Sequence, residues 1–296
     1  MIDHSPSKLR GRLWIVAAAL LWSTGGFFAK APIFLAWEEA ARGPLIAFWR
    51  SVFAALVLLP VVRRPRWRPG LASLGIVFPA MNVTYMSAVA LTTAANAIWL
   101  QSTAPWWVFL ISVLVLREPV VRRELVPLAF AVAGVGMILA FEVYGQRGVG
   151  VFLGVSSGVL FATVVVLLQH LRDENSAWLI ALCHGLTAAM LLPWVVYYGV
   201  WPTTAQLLVL AAFGAVQMAI PYILLNQALR SISSQEAVLI CLIEPVLNPI
   251  LVLVWGERPA WWTIAGAAFI LLGLLLRYTL LEIPRRITPE EVPHEL

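Results

Sequence analysis

The sequence predicts an all-α integral membrane protein: ten transmembrane helices in two inverted five-helix repeats, with both termini on the cytoplasmic side. Three observations carry this expectation. Long apolar runs follow one another along nearly the whole chain, basic residues collect in alternate connections, and the two halves match at a nearly constant offset.

Of 296 residues, 61% are hydrophobic and only 12% are charged, against about 25% charged in a soluble domain whose surface water must wet. Mean hydropathy is +0.88. About 20 apolar residues, rising 1.5 Å each, cross a hydrocarbon core of ~30 Å. Runs of that kind are expected at 12–30, 43–62, 71–90, 94–116, 125–142, 149–170, 177–199, 204–229, 235–255 and 260–281. Residues 1–11 make a short cytoplasmic N-terminus, and 282–296 a polar cytoplasmic tail expected to be disordered. The first run follows Lys8, Arg10 and Arg12 as a signal peptide would. It continues to Ala29, however, beyond the roughly 7–15 residues of a signal core, so an uncleaved first span is expected.

Orientation follows from the basic residues. With the N-terminus inside, inner segments hold fifteen of the twenty Lys and Arg, including Arg63, Arg64, Arg66 and Arg68 in one connection. Outer segments hold four, Lys30, Arg42, Arg147 and Arg258, and Arg50 lies within a helix. An excess of Lys and Arg in cytoplasmic loops sets membrane orientation. The same loops explain the net charge of +5 without any nucleic-acid partner. Cys183 and Cys241 both lie inside apolar runs and read as buried thiols, with neither a disulfide framework nor a metal site.

The repeat appears when residue n is set against n+140, give or take one. Ala104-Pro105 then falls on Glu244-Pro245, Glu118 on Glu257, Pro119 on Pro259, Gly134 on Gly273, Trp22 on Phe161 and Thr24 on Thr163. The repeats are 12–142 and 149–281. Five helices are an odd number, so the halves enter the membrane from opposite sides. Inverted repeats are a common architecture of secondary transporters, with the substrate site near the midplane between halves.

The recurring pattern resembles the EamA-type transporters of the drug/metabolite transporter superfamily. It reads Ala104-Pro105, Leu116-Arg117-Glu118-Pro119 and Gly134 in one half, and Glu244-Pro245, Gly256-Glu257-Arg258-Pro259, Gly266 and Gly273 in the other. Ala90-Leu91, Ala228-Leu229 and Leu21-Trp22-Ser23 fit as well. The resemblance implies an inner-membrane permease, often an exporter of amino acids or related metabolites, with a cavity lined by helices one, three, four, six, eight and nine. The expected activity is secondary transport of small organic metabolites by alternating access, outward in direction. The expected partners are a small-molecule substrate and the lipid bilayer, with no cofactor, and the protein is expected as a monomer or weak homodimer. No Walker-type nucleotide motif occurs.

Ionisable groups within a bilayer are costly, about 2.5–3.5 kcal/mol at a helix centre on insertion scales, so each is a candidate. Glu244 leads. It sits near mid-span beside Pro245, whose missing N–H frees the carbonyl of Cys241. A carboxylate beside a broken helix suits cation binding or a proton relay; a structural carboxylate satisfied by a neighbouring helix is the alternative. Asn248 shares its face, and Gln101 takes the equivalent stripe in the fourth helix. Asn82 with Tyr85, and Tyr222 with Asn226, form amide-plus-aromatic faces, suited to an amphipathic metabolite or to interhelical hydrogen bonds. Trp22 completes the expected cavity set. Arg50 is placed shallow enough to snorkel outward and pair with Glu38 or Glu39, with an outer gate or anion lure as the alternative.

The segment Gly154-Val155-Ser156-Ser157-Gly158 matches the G-x-S-x-G nucleophile elbow in letters only. That elbow needs a strand, a sharp turn and a helix, whereas Gly150, Gly154 and Gly158 form a small-residue ridge that lets helices pack closely. No catalytic residue is expected. The competing classes are an intramembrane enzyme using Ser156 with His170 or His184, and a membrane scaffold or sensor. His170 reads better as a capping or interface residue and His184 as a packed polar one.

Overall fold

The computed structural model describes residues 6–63, 65–119, 122–142, 148–256 and 260–279. Among these, eight helices are long and apolar enough to cross a membrane. They are α1 (Lys8–Ala29), α2 (Glu39–Val61), α3 (Pro69–Leu91), α4 (Ala94–Val115), α6 (Gly148–His170), α7 (Ser176–Tyr198), α8 (Thr204–Ala228) and α9 (Ser234–Trp255). Two further helices hold the ends of the halves: α5 (Arg122–Glu142) and α10 (Trp261–Thr279). Their apolar stretches, Leu125–Met137 and Ile264–Gly273, are shorter. The described residues contain no strand. The expected tail at 282–296, Arg147 and the segment Glu257-Arg258-Pro259 lie outside the described residues.

Local sequence explains where the helices start and stop. The Thr93 hydroxyl caps α4 by accepting from the Asn96 N–H at 3.0 Å, and the Ser233 hydroxyl caps α9 by accepting from Glu236 at 3.2 Å. These caps stand 140 residues apart, as the repeat requires, and each satisfies a backbone donor that the helix leaves open. After α4, Arg117 takes φ 56°, and after α9, Gly256 takes φ 85°. The second half fills this left-handed turn with glycine, whereas the first forces a side chain into it.

Three spans are broken near their middles. In α4 the pieces Ala94–Gln101 and Ala104–Leu110 flank Ser102-Thr103, and in α9 Ser234–Cys241 and Ile243–Val252 flank Leu242. Pro105 and Pro245 bring no N–H to the carbonyls of Gln101 and Cys241, which explains both breaks. In α1 no proline is needed. The Ser23 hydroxyl donates to the Ala19 carbonyl at 2.7 Å and that of Thr24 to Leu21 at 2.6 Å, competing with the helix for its own acceptors. Gly25-Gly26 follow, and Gly25–Ala29 forms a separate piece. A fourth irregularity is the wide π-turn Phe213–Ala219 in α8, just before Pro221.

The packing obeys the repeat. Helix α2 packs on α7, α5 on α10, α3 on α6, and α8 on α1. Exchanging each helix for its mate five places on maps this set onto itself, the signature of a pseudo-two-fold axis. Glycines permit the close approaches. A Cβ on Gly134 would lie 2.6 Å from the Gly266 carbonyl of α10, and one on its mate Gly273 would lie 2.7 Å from Phe130 Cβ of α5. The ridge on α6 behaves as expected: Gly150 faces Thr92, Gly154 faces Leu100, and Gly158 faces Thr103 and the Leu100 and Gln101 carbonyls. The broken middle of α4 therefore rests directly on α6.

Charged connections from both halves meet on one face. Arg68 Nε donates to Glu174 Oε1 at 2.8 Å, and Arg230 Nε donates to the Arg172 carbonyl at 2.8 Å. Trp178 Nε1 donates to the Arg66 carbonyl at 3.1 Å. Arg12 and Glu236 form a half-buried ion pair at 2.7 Å between α1 and α9.

Candidate functional site

The three breaks converge on one cavity. Trp22 ends the first piece of α1, Gln101 ends the first piece of α4, and Glu244 opens the second piece of α9. All three line the same enclosed space, together with Arg50 of α2, Asn82 and Tyr85 of α3, Phe161 of α6, and Gln217 and Tyr222 of α8. Both halves contribute. Only about 20 Å³ is open to the centre of a water molecule, room for one or two waters, so the site is closed around itself.

Aromatic rings form its wall. Trp22 meets Tyr222 edge-on at 5.0 Å between centroids and Phe161 at 5.9 Å. Phe78 backs Tyr222 at 4.9 Å, and the Tyr222 hydroxyl donates to Met81 Sδ at 3.6 Å. Edge-to-face pairs fix ring positions and add about 0.5–1.5 kcal/mol each beyond area burial.

Arg50 corrects the sequence reading. Its side chain turns inward and is only 1% exposed, whereas Glu38 and Glu39 are exposed at the start of α2. Nη2 donates to Asn82 Oδ1 at 2.7 Å, Nη1 reaches Gln217 Oε1 at 3.5 Å, and Nε has no partner. The guanidinium also lies over the Phe213 ring, 5.1 Å from its centroid. The physical reason is depth. The helix begins at Glu39, four residues before the expected span, so Arg50 falls in mid-helix, out of reach of the outer surface. A close fit against α8 seals it in, since a Cβ on Gly214 would meet the Arg50 carbonyl and Phe53.

Asn226 and Asn248 are also corrected, because neither lines the cavity. Asn226 Oδ1 accepts from the Ser176 hydroxyl at 2.6 Å and ties α8 to α7. Asn248 is fully buried against Gly26, with no hydrogen bond to either of its polar atoms. Asn96 is likewise unpaired. These two asparagines belong to the pieces Ile243–Val252 and Ala94–Gln101, which pack on each other and on Gly25–Ala29.

The enzyme alternative finds no geometry among the described residues. Ser156 lies within the continuous helix α6, and His170 Nδ1–H donates to the Val166 carbonyl at 2.8 Å, one turn from the helix end. His184 packs edge-on to Phe78 at 4.9 Å, with Nδ1 3.3 Å from the Ser51 hydroxyl. Among the described residues no group of three His, Cys, Asp or Glu is placed to hold a metal ion. The spacing of polar residues in α8 points to Tyr222 and Asn226 but passes over Gln217, which lines the cavity. Its signal was there to read: an amide in mid-span, four residues before a proline.

A model of the EamA-like transporter family matches residues 9–140 and again 148–279, an offset of 139 residues. An uncharacterized transporter of Archaeoglobus fulgidus (strain ATCC 49558 / DSM 4304 / JCM 9628 / NBRC 100126 / VC-16) is 30% identical over 272 residues, covering 90% of this chain and 96% of its own. A protein known from a crystal structure superposes with a TM-score of 0.71 over 91% of this chain and 98% of its own; at 20% identity that likeness is one of fold.

Proposed function

The chain belongs to the EamA-like transporter family, and from that premise we propose that it is a secondary carrier exporting small organic metabolites, amino acids or related compounds among them, by alternating access. The observation that carries the reading is the cavity itself. It lies between two repeats, at the level where α1, α4 and α9 break, and both repeats line it. A site at the interface of repeated halves, beside interrupted helices, is where secondary carriers bind.

In this reading ten helices span the cell's inner membrane, the repeats 12–142 and 149–281 run in opposite senses, and both termini are cytoplasmic. The charged face supports that orientation, because Arg63, Arg66 and Arg230 gather around one shallow depression there. Broken helices let the pieces on one side of the cavity part while those on the other stay together. On the Arg12–Glu236 side the closure is an ion pair; on the other it is the packing around Asn96 and Asn248.

Glu244 is the residue whose charge is expected to matter. It is 8% exposed, and no described residue donates a hydrogen bond to its carboxylate. It stands in the first turn of the helix piece Ile243–Val252, where the partial positive end of the helix favours a carboxylate. Counterflow of labelled metabolites in proteoliposomes tests the proposal. Glu244→Gln is expected to abolish or uncouple movement while the protein still inserts. Absence of solute movement by the wild-type protein across a broad panel would overturn carriage.

A further inference from the structure

We infer that the shallow depression among the charged connections binds the headgroup of an anionic phospholipid, held between Arg63 and Arg66 of the first repeat and Arg230 of the second. Three connections meet there, following α2, α6 and α8, so the depression lies where spans end at the membrane surface. Asp173, Glu174 and Asn175 complete its lining. Its volume is about 460 Å³, room for a hydrated phosphodiester.

The basic residues of this face differ in what offsets them. Arg12 pairs with Glu236, and Arg68 with Glu174, whose carboxylate is thereby neutralised. Arg230 donates from Nε and Nη2 to the backbone carbonyls of Arg172 and Glu174, which fix its position without cancelling its charge. Arg63 and Arg66 make no hydrogen bond or ion pair through their guanidinium groups with any described residue. Three cations therefore share the depression with one uncompensated carboxylate, that of exposed Asp173. A phosphodiester suits them, because its oxygens accept from several guanidinium donors at once. The setting favours a lipid over a soluble anion. Trp67, between Arg66 and Arg68, is 71% exposed, and Leu59 and Val61 at the end of α2 are exposed too. Tryptophan settles at headgroup level, and apolar side chains beside the arginines give acyl chains a surface to follow. Basic pockets between spans recognise anionic headgroups in this way. The Trp178 Nε1 bond to the Arg66 carbonyl holds the first repeat's connection against the second, so a phosphate there joins both halves.

The test titrates the full-length protein in a neutral detergent with phosphatidylglycerol, with phosphatidylcholine, or with glycerol 3-phosphate, which carries the phosphate without tails. Melting temperature is the readout, since a ligand of the native state raises it. Phosphatidylglycerol should raise it saturably, and the shift should shrink as salt rises from about 0.1 to about 0.5 M. The other two compounds should leave it unmoved. Arg63→Gln combined with Arg66→Gln should weaken phosphatidylglycerol roughly 10- to 30-fold. Arg10→Gln combined with Arg117→Gln removes the same charge from the same side outside the depression. That control should change the affinity less than about twofold. Arg230→Gln replaces the first pair should that pair fail to fold, with the same direction expected. Equal shifts from both lipids, an equal loss in the control, or no shift at all would overturn the proposal. So would glycerol 3-phosphate acting as strongly as the lipid, which would make the ligand a soluble anion. Every arm reads binding, so the result is independent of whether the protein is a carrier.

Discussion

Replacing Asn82 with leucine removes the one short hydrogen bond that Arg50 makes, at 2.7 Å from Nη2. What remains is a 3.5 Å approach to Gln217 and the Phe213 ring face. At 3.5 Å an N–H···O contact is near the limit of a hydrogen bond, so the guanidinium would be left almost bare. A hydrogen bond to a charged group contributes about 1.5–3 kcal/mol, against about 0.6 on average for neutral interhelical bonds in membranes. Asn82→Leu should therefore lower stability by about 1.5–3 kcal/mol, roughly 10- to 150-fold in the unfolding equilibrium. Asn226→Leu, which loses only a neutral bond to Ser176, should cost at most about 1.7 kcal/mol. The assay is equilibrium unfolding in mixed micelles of rising SDS content, followed by the fluorescence of the fourteen tryptophans. Arg50→Leu completes a double-mutant cycle. A coupling of about 1.5 kcal/mol or more is expected, and additivity within ~0.5 kcal/mol would refute the claim that Asn82 holds the charge.

Other consequences follow from packing and backbone. Gly158→Ile places a Cβ 2.6 Å from Thr103 Oγ1 and 3.0 Å from the Leu100 carbonyl, so overpacking should cost about 1–3 kcal/mol in the same unfolding assay. Gly136→Ala, with nothing within 4 Å, should be neutral or stabilising by up to about 1 kcal/mol. Arg117→Gly relieves a left-handed residue at φ 56° and should stabilise by up to about 1 kcal/mol, read as a raised melting temperature. Arg12→Ala breaks a partly exposed ion pair of about 0.2–1 kcal/mol. It should raise the rate at which a soluble maleimide labels Cys241 about 1.5- to 5-fold, with the deeper Cys183 as an unreactive control.

Helix positions were legible because membrane spans are written in single-residue hydropathy: α3, α4 and α6 to α9 begin within about two residues of the expected runs. Pro245 announced the break in α9, since a missing N–H is a local property, and Pro105 carries the same property in α4. The break in α1 was not foreseen, because it depends on Ser23 and Thr24 turning their hydroxyls onto their own helix. Of the expected cavity residues, Trp22, Asn82, Tyr85, Gln101, Tyr222 and Glu244 come together. Asn226 and Asn248 do not, because spacing along a helix shows which residues share a face but not what that face meets. Counting from Pro44 puts Arg50 near the rim, because hydropathy marks the start of a helix only to within several residues. A helix starting four residues earlier moved it from the rim to the centre.

The joint in α1 has no counterpart in its mate. Ser23-Thr24 corresponds to Ala162-Thr163 in α6, where the helix runs on and Val164-Val165 replace Gly25-Gly26. In Thr163 the hydroxyl already donates to the Val159 carbonyl at 2.9 Å, but β-branched neighbours stiffen the chain where α1 has glycines. A carrier whose halves were true copies would traverse its cycle with two matching barriers. On the alternating-access reading proposed above, one barrier would involve a jointed first helix and the other a rigid one, and the two reorientation steps would run at unequal speeds. Detailed balance still leaves the net direction of flow to the gradients across the membrane, and the unequal joints decide only which face spends longer waiting.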